Sequence, residues 1–264
     1  ENDPPFQQFI DVNLVPKFIT FLARSDLPKL QLEAAWCLTN IASGSDQQVQ
    51  VLISKGMIDC FVKLLETPHV ELIEQVIWGL GNMAGDGPRI RNLVISAGAV
   101  NPISEYLDRA PAGSTFTRNA SWALSNMCRG RPAPDFEQIK RATVALAKVL
   151  KENDSEEIIG DVCWALSYIS DGGVEQIPTI LQTNVLPRIV ELLEHKEMAI
   201  SVSCLRTIGN ILTGSDAETQ VAIEAGALNA MDRLITNQQK AVRKEVCWSV
   251  SNITAGNVQQ IQMA

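Results

Sequence analysis

The sequence predicts an all-α fold, a right-handed α-solenoid of about six three-helix repeats. Three observations predict it: a motif that returns about every 42 residues, apolar residues spaced as on one helix face, and glycines at regular places in each repeat. No stretch shows the sustained alternation of a strand. Because one such repeat lacks a core of its own, neighbouring repeats must bury their apolar faces against each other.

The repeated motif is an eight-residue segment whose fourth residue is almost always tryptophan. That residue falls at Trp36, Trp78, Trp122, Trp164, Arg206 and Trp248, at intervals of 42, 44, 42, 42 and 42 residues. The motif predicts one repeat domain over 1–264, divided at 4–44, 45–86, 87–130, 131–172, 173–214 and 215–256, with the start of a next repeat at 257–264. Because Glu1 to Pro5 do not resemble a native start, we expect a fragment of a longer protein.

Each repeat is predicted to hold a short, a medium and a long helix. In the first, Leu30, Ala34, Leu38 and Ile41 have the spacing of a buried helix face. Glycines follow each Trp-bearing helix, and a second set splits the stretch before it at Gly56, Gly98 and Gly226. In the third repeat the three helices are expected at roughly 88–97, 99–107 and 115–128.

Composition narrows the possible partners. A net charge of −8 argues against direct nucleic-acid binding, which needs a cationic face. The chain contains no apolar stretch of about 18 residues and no basic-then-apolar leader, so neither a membrane span nor a secretory signal is expected in it. The six cysteines follow the repeat and form no CxxC pair, which is typical of buried thiols in a reducing compartment. The sequons at Asn119 and Asn252 fall at repeat positions and are discounted.

Tryptophan and asparagine share one face of the third helix, four residues apart, as in Trp36 and Asn40. One interpretation is that the tryptophans are core. The other is a binding surface, because a buried asparagine in nearly every repeat needs an internal partner and other residues already supply the core. On such a surface the amides match a peptide backbone, and the indoles flank the aliphatic stems of Lys or Arg. Carboxylates near the row are expected to meet the cationic tips: Glu33, Asp86, Asp161, Asp171 and Glu245.

Six motifs carry a family resemblance: AAWCLTNIASG, WGLGNMAGDG, WALSNMCRG, CWALSYISDG, LRTIGNILTG and CWSVSNITAGN. They resemble importin-α, the armadillo-repeat adaptors for nuclear localisation signals, over essentially the whole chain. The resemblance implies a protein of cytoplasm and nucleus that binds basic signals of cargo proteins in extended form. It also implies importin-β as a partner, through a basic N-terminal segment that this chain lacks. No cofactor, metal or catalytic residue is implied.

The resemblance also assigns site residues. The major peptide-binding site is implied at Trp36, Asn40, Gly44, Gln75, Trp78, Asn82, Asp86, Asn119, Trp122, Asn126, Asp161, Trp164 and Tyr168. Part of a minor site is implied at Arg206, Asn210, Glu245, Trp248 and Asn252. Asp86 matches the acid that pairs with the key lysine of the signal. Val49 stands where the family usually has Thr, so one hydrogen bond to that lysine is missing, worth about 1 kcal/mol.

Two other function classes were weighed. Gly79, Gly81 and Ala84 fit the G-x-G-x-x-A fingerprint of dinucleotide-binding enzymes, but no strand precedes them and they fall inside a predicted helix. His69 and His195 lie in predicted turns without catalytic partners, so an enzyme is not expected. The alternative is a catenin-like armadillo scaffold that binds other extended partners. A groove for acidic ligands, however, is expected to be lined with Lys and Arg rather than Trp, Asn and carboxylates.

Overall fold

The computed structural model describes residues 6–264 of the chain. Over that range its regular elements are eighteen α-helices and one short 3-10 helix, and no strand occurs there. None of these helices is long and apolar enough to cross a membrane. The predicted all-α fold is confirmed, whereas the predicted start of the first repeat at residue 4 lies outside the described residues.

The chain forms two compact units. The first runs to Ala110 and continues over Ser114–Pro134, and the second comprises Pro111–Gly113 and Asp135–Ala264. The first unit contains α1 (Phe6–Asp11), α2 (Val15–Leu22), α3 (Pro28–Ile41), α4 (Asp46–Ser54), α5 (Met57–Leu64), α6 (Val70–Gly85), α7 (Pro88–Ser96), α8 (Val100–Arg109) and α9 (Thr115–Cys128). The second contains α10 (Phe136–Glu152), α11 (Glu156–Ser170), the 3-10 turn Val174–Gln176, α12 (Ile177–Gln182), α13 (Leu186–Leu192), α14 (Met198–Ile211), α15 (Asp216–Glu224), α16 (Ala227–Leu234), α17 (Lys240–Thr254) and α18 (Val258–Met263).

A residue with a left-handed backbone separates the first and second helices of most repeats. Gly56, Gly98 and Gly226 have φ angles of 77°, 92° and 94° at these places. Where no glycine is available, Asn13 and Asn184 take φ angles of 55° and 53°. Asparagine tolerates this conformation because its short side chain can hydrogen-bond locally. Two asparagines, which were not singled out from the sequence, thus separate helices in the way that was predicted for the glycines.

The predicted repeat at 131–172 departs from the three-helix plan. Its first part forms one continuous helix, α10, so the expectation of three helices was wrong there. From Phe136 to Glu152 the sequence contains neither glycine nor asparagine, and nothing favours a left-handed break. The helix begins at its cap, where Asp135 accepts a hydrogen bond of 3.1 Å from the backbone N–H of Glu137.

The long third helices form the centre of each unit. In the first unit α6 packs against both α3 and α9, and in the second α14 packs against both α11 and α17. The packed side of α6 is a stripe of fully buried residues, including Leu72, Val76, Leu80 and Met83. Because each central helix is covered on two sides, a further face remains for residues such as Trp78, which is 50% exposed.

Arg91 ties the last residues of the first unit to α7. Its side chain is fully buried, and its guanidinium donates to the carbonyl oxygens of Arg129 at 2.6 Å and Pro132 at 2.7 Å. Burial lowers the pKa of Arg91 because it disfavours the charged guanidinium. The carbonyl acceptors offset part of this cost by hydrogen-bonding the buried charge. The bonds hold residues 129–132 against α7. The first unit consequently extends to Pro134, beyond the predicted repeat boundary after Gly130. The six-repeat division itself stays a prediction.

Candidate functional site

The tryptophans of the first unit lie in one row on the third helices. Trp36 on α3 is 54% exposed and Trp78 on α6 is 50% exposed, while Trp122 on α9 is half-buried. Large apolar side chains are normally removed from water, so a row of half-exposed indoles is an apolar surface on an otherwise polar face. These rings are therefore available to a ligand at the same repeat position on successive helices.

The asparagines beside these rings tie successive third helices together. The Nδ2 of Asn82 donates to the carbonyl oxygen of Thr39 at 3.3 Å, and that of Asn126 donates to the carbonyl oxygen of Gly81 at 3.2 Å. These amides were predicted to be free for a ligand, and the internal bonds were not expected from the sequence. An Asn amide has two N–H groups and an acceptor oxygen, so each retains hydrogen-bonding capacity. Asn126 is nevertheless buried, so the expectation of an exposed amide was wrong at this position.

Gly81 is a site residue that the sequence analysis missed. A Cβ atom built on it would lie 2.4 Å from Cζ3 of Trp122, so only glycine lets this indole pack against α6. Gly209 in the second unit has the same role, since its Cβ would lie 2.2 Å from Cζ3 of Trp248. The signal in the sequence is a glycine three residues after the repeated Trp or Arg position, directly before the Asn.

The predicted supporting residues of the first unit have mixed environments. Gln75 and Asn119 are half-buried on α6 and α9, and the Nε2 of Gln75 is buried with no hydrogen-bond partner among the described residues. Gly44 follows α3 and leaves room for the side chain of Gln48, whose Oε1 accepts from the N–H of Ser45 at 3.0 Å. Gly44 thus supports the capping box of α4.

Asp86 and Asp46 lie close together at the two ends of the predicted repeat 45–86 in the first unit. Asp86 directly follows α6, and Asp46 is the first residue of α4. Burial raises the pKa of Asp86, and the nearby Asp46 carboxyl raises it further, while Arg89 opposes the shift. Two exposed carboxylates in such proximity repel each other and attract a cation. Val49, the departure from the family pattern, is fully buried.

In the second unit, the chain's own arginine takes the place of a tryptophan. Trp164 and Tyr168 stack with ring centroids 5.8 Å apart and planes 28° apart. The guanidinium carbon of Arg206 lies 5.8 Å from the centroid of the Trp164 ring, and its Nη2 lies 3.4 Å from Oε1 of Glu245. The residues assigned by resemblance to two separate sites therefore form one cluster.

Asp161 lies one helical turn before Trp164 on α11. Burial raises the pKa of Asp161 to about 6, with the neighbouring Glu157 contributing in the same direction. A nearby cation favours the ionised carboxylate and so offsets the free-energy cost of ionising it in the free protein.

The remaining residues of the second unit form another row. The Nδ2 of Asn210 donates to the carbonyl oxygen of Ser167 at 3.3 Å and to Oγ of Ser170 at 2.9 Å. The Nδ2 of Asn252 donates to the carbonyl oxygen of Gly209 at 3.0 Å. Beside them, Trp248 is 37% exposed. The second unit thus repeats the Asn-to-carbonyl bond of the first.

The features weighed as enzymatic have structural roles. Gly79 and Gly81 both lie inside α6 with no strand before them. His69 occupies the N-cap position of α6 without a side-chain capping bond, and Nδ1 of His195 accepts from the N–H of Glu197 at 3.1 Å. Among residues 6–264, no group of three His, Cys, Asp or Glu side chains is placed to hold a metal ion.

Comparison with known families gives a match to the armadillo/beta-catenin-like repeat over residues 2–43, 45–85 and 173–213. Residues 86–172 and 214–264 are not matched, and the first of these stretches includes α10, where the three-helix plan is altered. The families matched are not enzyme families.

Similar proteins are importin alpha subunits. Importin subunit alpha-1a of Oryza sativa subsp. japonica is 48% identical over 263 residues, covering 99% of this chain and 50% of that protein. Importin subunit alpha-1b of the same organism is 47% identical, covering 94% and 46%. Importin subunit alpha-B of Dictyostelium discoideum is 46% identical, covering 81% and 42%. The chain spans about half the length, or less, of these relatives.

Solved structures of the same fold include designed proteins. A designed armadillo repeat protein in complex with peptide (KR)4 is 29% identical with a TM-score of 0.79, covering 90% of this chain and 98% of that one. A computationally designed armadillo repeat protein for modular peptide recognition superposes with a TM-score of 0.81 at 29% identity, with coverages of 90% and 99%.

Proposed function

Because the chain belongs to the importin alpha family of armadillo-repeat proteins, we propose that it binds lysine- and arginine-rich segments of cargo proteins in extended form. In this proposal the third-helix face carries the ligand. In the first unit this face comprises the Trp and Asn positions and Asp86. In the second unit it comprises the Trp and Asn positions there with Asp161 and Glu245.

One observation carries the proposal: the indoles that the repeat places on the third helices remain accessible, and carboxylates lie on the same helices or directly after them. Trp36 and Trp78 are half exposed, and the pKa of Asp86 is raised by burial and by Asp46. A Lys or Arg stem packs its methylenes on such rings, while its charge meets the carboxylates. The net charge of −8 favours the approach of a basic segment.

The spacing of the rings suits an extended ligand. Packed helices lie about 8–10 Å apart, and alternate side chains of an extended chain are about 6.5–7 Å apart. Successive tryptophans can therefore flank every second side chain of a peptide. The designed armadillo repeat protein in complex with peptide (KR)4 has the same fold, which supports a basic peptide as the class of ligand.

The cellular role follows as a proposal from the importin alpha relatives. The chain serves as the cargo-binding part of a nuclear import adaptor that moves between cytoplasm and nucleus. In the same proposal importin-β is reached through a segment outside this chain. The catenin-like scaffold stays the alternative, and its expected ligand is acidic rather than basic.

Fluorescence anisotropy with a labelled Lys/Arg-rich peptide and a matched Asp/Glu-rich peptide separates the two functions. We expect a dissociation constant of about 1 μM or tighter for the basic peptide. Affinity is expected to fall as salt rises, because exposed charges are screened. Tighter binding of the acidic peptide rules out the proposal and supports the scaffold alternative.

A further inference from the structure

We propose that Arg206 is an intramolecular competitor that occupies the Trp164 ring and the Glu245 carboxylate, so a ligand cation reaches either group only by displacing it. The inference rests on the proposed function and names a specificity-determining residue within the same surface. It predicts that the second unit disfavours a cation at this one position while its other Trp and Asn positions accept the ligand.

Two contacts place Arg206 as a ligand cation would be placed. Its guanidinium carbon is 5.8 Å from the centroid of the Trp164 ring, within the distance over which a cation is attracted to an aromatic face. Its Nη2 is 3.4 Å from Oε1 of Glu245, on the next third helix. Both interactions that an incoming Lys or Arg needs are thus already made by the chain itself.

The cluster is accessible enough for exchange. The side chain of Arg206 is 42% exposed, whereas that of Glu245 is only 12% exposed. An exposed arginine pairs weakly because solvent screens the charge and the side chain loses rotamer freedom. Glu245 is therefore a fixed acceptor, and Arg206 is a removable partner.

Tyr168 strengthens the case for a single occupied position. Its ring stacks on Trp164 at a centroid distance of 5.8 Å, where the other repeats have an Asn after the Trp. The stack holds the Trp164 ring in place and leaves Arg206 as the cation over it. A ligand segment that crosses this position without a positive charge leaves these contacts intact.

The test compares R206A with R233A in binding a labelled sixteen-residue peptide of alternating Lys and Arg. Arg233 is the matched control, since it pairs with Glu194 on the exposed surface of the same unit and its loss changes the net charge equally. We expect R206A to bind the peptide about three- to tenfold more tightly than R233A does. The gain is expected to disappear when W164L and E245Q are added to R206A.

A second variant and a ligand-free measurement guard against loss of structure. R206M keeps an unbranched side chain of similar length, and its circular dichroism is compared with that of the unmodified chain. Without peptide, R206M is expected to change the tryptophan emission, and R206M in a W164F background is expected to leave it unchanged.

Each result decides a different claim. Equal or weaker binding by R206A and R206M than by R233A overturns the competitor role. If no variant binds basic peptide, the proposed function fails, and the emission comparison still decides whether Arg206 covers Trp164. An emission unchanged by R206M overturns the inference by itself.

Discussion

The two units build different surfaces on the same helix stacking. In the first, Trp36 and Trp78 are half exposed and Asn82 makes one bond to the preceding helix. In the second, Arg206 covers Trp164, and Asn210 makes two bonds to α11. The stacked core of Leu, Ile, Val and Ala is alike in both units. The comparison teaches that the residues on the third-helix face can differ between the units while the stacked core that carries them stays the same.

The largest expected effect is a charge reversal in the first unit. D86K places a cation where the ligand's cation is proposed to bind, beside Asp46. Because like charges at an interface cost several kcal/mol, we expect about a 100-fold loss of affinity for a Lys/Arg-rich peptide. D59K is the control, since Asp59 is an exposed acid on α5, outside the third helices. Anisotropy measures both, and equal losses would contradict the assignment of Asp86.

Removing an exposed indole tests the row directly. We expect W78A to weaken binding of the basic peptide about tenfold, through lost cation–π and stem packing. Because half of the Trp78 side chain is already in water, helicity and melting temperature are expected to change little. W248A is the counterpart in the second unit and shows how much of the binding lies there. Collapse of the circular dichroism signal in W78A would mean that the ring is core.

Replacing the glycines that contact the indoles is expected to change the free energy of unfolding by an intermediate amount. G81A and G209A put a Cβ within 2.4 and 2.2 Å of a tryptophan ring. Overpacking outweighs the gain in helix propensity, so we expect each to lower the free energy of unfolding by about 1–2 kcal/mol.

Gly160 supplies the control for the glycine variants. It lies inside α11, and the nearest atom to an added Cβ is 4.0 Å away. G160A is therefore expected to stabilise the protein by about 0.5–1 kcal/mol. Urea unfolding measures all three variants. Destabilisation by G160A as large as that by G81A would show that the Trp contact is not the cause.

The smallest expected effect is the pH dependence of Asp161. Its pKa is about 6 in the folded protein, above the ordinary value of 3.8, so its stabilising contribution is present below about pH 3.8 and is lost as pH rises through 6. At pH 7 D161N is expected to be more stable by up to about 1 kcal/mol, discounted for solvent screening.

Melting temperatures of D161N and the unmodified chain check this prediction. The difference between them is expected to shrink steadily from pH 7 to pH 4. At pH 7 D161N is also expected to bind a basic peptide less tightly, because the carboxylate is gone. A difference in melting temperature that grows on acidification contradicts the sign of the shift.

The fold could be predicted from the sequence because the repeated Trp position marks the last helix of each repeat. The continuous α10 was not predicted. The absence of a Gly or Asn becomes informative only once the other repeats show that such a residue separates their first two helices. At the site, i and i+4 spacing placed Trp36 beside Asn40 within one helix. Contacts between helices, such as Arg206 with Trp164 or Asn126 with Gly81, depend on stacking offsets that spacing does not encode.

The bonds from Asn82 and Asn126 to carbonyl oxygens of the preceding helices have a directional consequence. A carboxamide with one N–H committed cannot turn over, so its remaining donor and acceptor keep a fixed order. Within the first unit both amides are held in the same sense. Under the proposed function, we expect such a row to bind an extended peptide more tightly in one chain direction than in the other.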